Sequence, residues 1–76
     1  MKNIKIIVNA EEHWTDVKAV SYEQIVGLAQ MPDQSRVTYI KPRHSDAQRT
    51  GKLHPGGPDV EIENGMEFRV AYTGNA

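Results

Sequence analysis

Hydrophobic and polar positions alternate from the start of the chain. In KNIKIIVN, Ile4, Ile6 and Val8 fall on one side of an extended backbone, with Lys5 and Ile7 on the other. A period of two predicts a strand with one buried face. The polar run Asn9-Ala10-Glu11-Glu12 predicts a turn. HWTDVKA then predicts a returning strand, because Trp14, Thr15 and Val17 suit a pleated surface. Together these segments predict a hairpin. The pattern leaves the face of Trp14 open: a lone Trp in so small a domain reads first as partly buried in the core, and if exposed as an anchor for a partner.

The period changes at VSYEQIVGLAQMP. Ser21 is a suitable helix N-cap, and Gln24 three residues on completes a capping box. Val20 and Ile25 stand at the positions of a hydrophobic staple. Tyr22, Ile25, Val26, Leu28 and Ala29 recur at helical spacing and predict one apolar face. Pro32 is expected to stop the helix after about nine or ten residues, because it lacks an amide hydrogen and clashes with the preceding turn. Gly27 weakens such a helix by up to about 1 kcal/mol relative to alanine. Close approach to a strand would explain its presence.

RVTYIKP predicts a further strand packed through Val37, Tyr39 and Ile40, at an edge or ending at Pro42. RHSDAQRTGKLHPGGPD is polar and rich in turn formers. It predicts a long loop with one short strand near Gly51–Leu53, where Leu53 plugs the core. In VEIENGMEFRVAYT, Val60 and Ile62 alternate, as do Met66, Phe68, Val70 and Tyr72. Asn64-Gly65 between them is a strong turn signal. The sum is an α+β fold, a mixed sheet of four to five strands with one helix packed across one face.

Composition narrows the function. Seventy-six residues make one small domain with little room for a catalytic cleft. There is no cysteine, which excludes disulfides, thiolate metal sites and a cysteine nucleophile. No apolar run approaches the roughly 20 residues of a membrane span, and the start does not read as a signal peptide. A cytoplasmic protein is expected. The formal net charge of −1 gives no general pull toward nucleic acid. Locally, Arg36, Lys41, Arg43, Arg49 and Lys52 stand against Asp46 alone. Two readings of this stretch stay open, a solvated loop and a docking face for an acidic partner.

Candidate chemistry is sparse. His13, His44 and His54 lack ligand spacing, so no metal site is expected. His54-Pro55-Gly56-Gly57-Pro58 lacks the Lys-Ser/Thr of a phosphate loop and reads as an ordinary turn. No catalytic residue emerges, and the chain does not read as an enzyme. Ile7 and Ile40, if outward-facing, would form with Thr38 a small recognition patch beside Lys41, Arg43 and His44.

The ordered set IKIIVN, SYEQIVGLA, RVTYIK, HPGG and ENGMEFRVAYTG resembles the bacterial multiubiquitin family, whose members are ubiquitin-like β-grasp proteins. The resemblance spans nearly the whole chain. It implies a protein modifier encoded beside an activating enzyme, a conjugating enzyme and a deubiquitinase-like peptidase, in operons linked to defence against phage. The modifier itself would bind no cofactor; ATP would be used by the activating enzyme. The resemblance divides the chain into a ubiquitin-like body, residues 1–73, and a tail, residues 74–76.

In that family resemblance the chemistry falls on Gly74. Cleavage between Gly74 and Asn75 would expose a carboxylate for adenylation, thioester transfer and attachment to an amine of an unknown target. Glycine has no Cβ to obstruct a narrow channel. Unlike ubiquitin, the chain has a single glycine here and no arginine just before it. Lys2, Lys5, Lys18, Lys41 and Lys52 are candidate acceptors should chains form. A non-covalent module of the same fold and a sulfur carrier are the rival readings. Asn75-Ala76 counts against the second, because sulfur carriers normally end in Gly-Gly.

Overall fold

The computed structural model describes residues 3–42 and 49–72. Its elements are β1 (Ile4–Val8), β2 (Glu11–Thr15), β3 (Ala19–Val20), α1 (Tyr22–Ala29), β4 (Arg36–Ile40), β5 (Thr50–Leu53), β6 (Val60–Glu61) and β7 (Met66–Ala71). Five strands form one sheet in the order β2-β1-β7-β4-β5, and β3 pairs with β6. The first and last long strands lie side by side and parallel, with Ile6 opposite Met66 and Val8 opposite Phe68. The other pairings in the main sheet are antiparallel. One helix crosses one face of this mixed sheet, the ubiquitin-like β-grasp arrangement.

Alternation decides which face the helix covers. Ile6, Val8, Val37, Leu53, Met66, Phe68 and Val70 point inward and pack against Val20, Tyr22, Ile25 and Val26, with Ile62 closing the base. Removing this apolar surface from water stabilises the fold by about 25 cal/mol per Å². Leu53 is buried from its short strand, as its isolation in a polar stretch implies.

The helix begins as its sequence dictates. Ser21 Oγ accepts from the Gln24 amide at 3.2 Å, while Gln24 Oε1 accepts from the Ser21 amide at 2.9 Å. The staple residues Val20 and Ile25 are both buried. The helix ends sooner than Pro32 would require, after eight residues. Gln30 takes a left-handed conformation (φ 57°) and closes the helix end. Its amide donates to Gly27, and the Met31 amide donates to Val26 at 3.2 Å.

Several expectations need correcting. The first turn contains only Asn9 and Ala10, both with positive φ (50° and 72°), and Glu11-Glu12 begin β2. That two-residue turn matches the right-handed twist of the flanking strands. Trp14 is 53% exposed, because β2 is the sheet edge and its Lys5-paired side faces away from α1. Ile40 is also largely outside the core, on the face opposite Val37. β4 lies between β7 and β5 and is no edge; Pro42 follows its end. Gly27 is not pressed against a strand, since a Cβ there would meet nothing within 4 Å.

That open space makes a first prediction. Gly27→Ala is expected to raise stability by about 0.5–1 kcal/mol, through lower backbone entropy in the unfolded chain. A urea midpoint that falls instead would contradict the open environment.

Tyr22 ties the segment after α1 to the helix start. Its hydroxyl lies within hydrogen-bonding distance of the Asp33 and Ser35 carbonyls. Ser35 is itself buried, and its hydroxyl donates to the Pro32 carbonyl at 2.7 Å. Burial pushes the Tyr22 phenol above its ordinary 10.0, with smaller contributions from Asp33 and Glu23. The folded state therefore holds this proton more tightly than the unfolded chain does. Its contribution is complete below pH 10 and is lost as pH rises through the folded value. Alkaline titration of the denaturation midpoint is expected to show a loss above pH 10 that is smaller in Tyr22→Phe.

Candidate functional site

The C-terminal strand leads to the candidate conjugation point, so its anchoring matters most. β7 begins at the Asn64-Gly65 turn, where Gly65 has φ 90°. Asn64 Oδ1 accepts from the Lys5 amide at 2.8 Å, and the Gly65 amide donates to the Lys5 carbonyl at 2.7 Å. The turn is thus fastened to β1. From there Met66, Phe68 and Val70 point into the core, while Glu67, Arg69 and Ala71 point outward.

Its far end is held by a residue that sequence reasoning left unmarked. β1 stops at Val8, but Asn9 continues its bonding to β7. The Asn9 amide donates to the Phe68 carbonyl at 3.0 Å. The side chain then mimics a further peptide group: Nδ2 donates to the Val70 carbonyl at 3.0 Å, and Oδ1 accepts from the Val70 amide at 2.9 Å. On the other side Arg36 of β4 stands opposite Ala71. The strand ends at Ala71, and the following Tyr72 is 45% exposed. Three residues, Tyr72 to Gly74, therefore separate the strand from the candidate scissile bond. Their maximum reach is about 10 Å at roughly 3.3–3.6 Å per residue.

The expected partner patch falls on the open face of the sheet. One row of this face runs Glu12, Ile7, Glu67, Ile40, Thr50, and the next includes Arg69, Thr38 and Lys52. Ile7 and Ile40 are two strands apart, about 9–10 Å at the usual strand spacing, with Glu67 between them. The structure thus gathers Ile7, Thr38 and Ile40 around one shallow concavity that Glu67, Arg69 and Lys52 also line. Its chemistry is mixed rather than apolar. Glu67 and Arg69 were readable from the alternation of the last strand. Asn9 was not, because its partner lies 61 residues away.

The candidate lysines differ in presentation. Lys41 Nζ lies 3.8 Å from Glu63, and its side chain is only 13% exposed. Lys5 is paired with Glu12 at 3.5 Å. Lys18 and Lys52 are exposed. Lys2, Arg43, His44, Gly74 and Asn75 lie outside the described residues.

The HPGG segment forms a turn, with the Gly57 amide donating to the His54 carbonyl at 2.9 Å. The Gly56 amide donates to Glu23 at 3.0 Å, docking the turn on the helix start. Among the described residues no group of His, Asp and Glu is placed to hold a metal ion, and no helix is long and apolar enough to cross a membrane.

The comparisons with known proteins agree with this architecture. No curated protein and no solved structure matches the chain significantly. The multiubiquitin family model matches residues 4–74, which takes in every strand, the helix and the glycine beyond β7. The chain belongs to the multiubiquitin family.

Proposed function

We propose that the protein is a ubiquitin-like modifier in precursor form. A deubiquitinase-like peptidase cleaves between Gly74 and Asn75. An activating enzyme then adenylates the Gly74 carboxylate with ATP, a conjugating enzyme receives it as a thioester, and a target amine displaces the thiol to form an isopeptide bond. The body, residues 1–73, is a substrate and a handle in the bacterial cytoplasm and supplies no catalytic group. Antiphage defence is the setting that the family resemblance suggests.

The observation that carries this reading is the position of Gly74 just beyond a firmly held central strand, within the span that the family model matches. A rigid body with a short tail can present a carboxylate to an enzyme's nucleotide site while remaining outside it. The tail's limited reach calls for a shallow site on that enzyme.

The test uses the chain ending at Gly74, ATP with magnesium, and the activating enzyme encoded beside it. A thioester sensitive to reducing agent is expected. Gly74→Val should form none, because its branched Cβ crowds the acyl carbon, yet should retain the wild-type melting curve. A non-covalent module of the same fold would instead keep its interactions in Gly74→Val and form no thioester in either protein.

A further inference from the structure

The turn that opens β7 carries a chemistry of its own. The chain has four asparagines, and Asn64 alone is followed by glycine. An asparagine carboxamide is open to attack by the amide nitrogen of the next residue. A side chain on that residue obstructs the approach, and glycine has none. Asn64 is exposed, in a turn over residues 63–66 that the Met66 amide closes onto the Glu63 carbonyl at 3.0 Å. Among the described residues, a Cβ on Gly65 would meet only the Pro42 ring, at 3.8 Å, so packing leaves the turn room to move.

The fold grips both reacting groups. The nucleophile, the Gly65 amide, donates to the Lys5 carbonyl at 2.7 Å. The electrophile, the Asn64 carboxamide, accepts from the Lys5 amide through Oδ1 at 2.8 Å. Ring closure must withdraw the Gly65 N–H from that carbonyl, which is no base, and swing the nitrogen toward Cγ. Both bonds run to one residue of β1, so both break when the turn lifts from that strand. Local openings of this kind gate chemistry on a folded chain, at a rate set by the fraction open.

We propose that Asn64 is a deamidation site whose rate is set by its clasp to Lys5. In the open turn the Gly65 nitrogen gives up its proton to solvent base and bonds to Asn64 Cγ. The Cγ–Nδ2 bond breaks, and ammonia leaves, having taken up a proton in exchange. The product is a cyclic imide. Water then opens one of its two carbonyls, with no oxidation or reduction at any step. Attack at Cγ gives aspartate. Attack at the main-chain carbonyl gives isoaspartate, whose backbone runs through Cγ. The two products affect the clasp in opposite ways. Aspartate keeps an oxygen for the Lys5 amide and makes that bond charge-assisted. Isoaspartate adds a backbone carbon to the turn, which shifts Gly65 out of register with Lys5. The inference does not depend on the chemistry of Gly74.

The test incubates the full chain in neutral buffer, folded and in guanidinium chloride, and follows each asparagine by peptide mass spectrometry. In denaturant Asn64 is expected to convert first, and Gly65→Ala should slow it, because its Cβ obstructs attack. In the folded chain Asn64 should convert at least about tenfold more slowly, in proportion to the open fraction. A synthetic chain with an ester in place of the Ile4–Lys5 peptide bond lacks the Lys5 N–H alone. With its circular dichroism preserved, its folded rate should rise about two- to tenfold, the effect of one ordinary hydrogen bond. Earlier conversion of another asparagine in denaturant would overturn the proposal. So would a folded rate equal to or above the denatured one. An unchanged or slower rate in the folded ester chain would also overturn it, since the clasp to Lys5 would then not be what protects Asn64.

Discussion

Ile25→Ala is expected to remove about 2–5 kcal/mol of stability, the usual range for emptying a core aliphatic site. For 76 residues the whole stability is only about 4–11 kcal/mol, at roughly 0.05–0.15 kcal/mol per residue. A large share of the molecules should therefore be unfolded at modest temperature. Ile25 is fully buried, at the centre of the face that α1 presents to the sheet. Alanine is the better helix former, so the change improves local propensity and the loss reports packing alone. Leu28, on the same helix and 39% exposed, is the control. Leu28→Ala should stay within about 0.5–1 kcal/mol of the parent. Urea denaturation followed by far-UV circular dichroism measures both. Equal effects at the two positions would contradict the assigned orientation of the helix.

The second large effect is expected at Asn9. Asn9→Ala should cost about 2–4 kcal/mol, from two lost hydrogen bonds and a part-buried Val70 peptide left without its partner. Alanine also tolerates the left-handed conformation at this position less well than asparagine does. Asn9→Gly relieves that conformational strain and isolates the side-chain contribution, so it should lie between Asn9→Ala and the parent. Amide exchange gives a local readout: Val70 should lose protection in both variants, while Ile25 should keep it in excess of Val70. If Val70 protection is unaffected, the Asn9 side chain does not hold the end of β7. Val70 lies one residue from the end of the strand that precedes the tail. On the proposed function, a frayed end would lengthen the tail and blur the geometry offered to an activating enzyme.

The helix shows what a sequence can reveal. Its cap, box and staple are local interactions among residues at most five apart, and all were legible. So were the inward and outward faces of β1 and β7, since a period of two leaves no choice once one face is apolar. The central Asn64-Gly65 turn was equally plain. Less was legible where the decision is made by distant partners. Trp14 looked like a core residue because nothing local says that β2 lies at an edge. The pairing of β3 with β6 joins two strands of two residues each, too short for any period. Gln30 ended the helix ahead of Pro32 by adopting a conformation that glycine or asparagine usually supplies. The sequence groups Ile7, Thr38 and Ile40 only as a candidate patch, and it does not show that register sets Glu67 between the isoleucines.

The central claim is that Gly74 becomes the reactive end of the protein. The most direct measurement is the intact mass of the chain expressed with and without a deubiquitinase-like peptidase of the kind the proposal requires. Loss of Asn75 and Ala76, leaving Gly74 terminal, is the expected result with the peptidase present, and Gly74→Val should block it. An unchanged mass beside a peptidase shown to be active on another substrate would contradict the account and favour a non-covalent module.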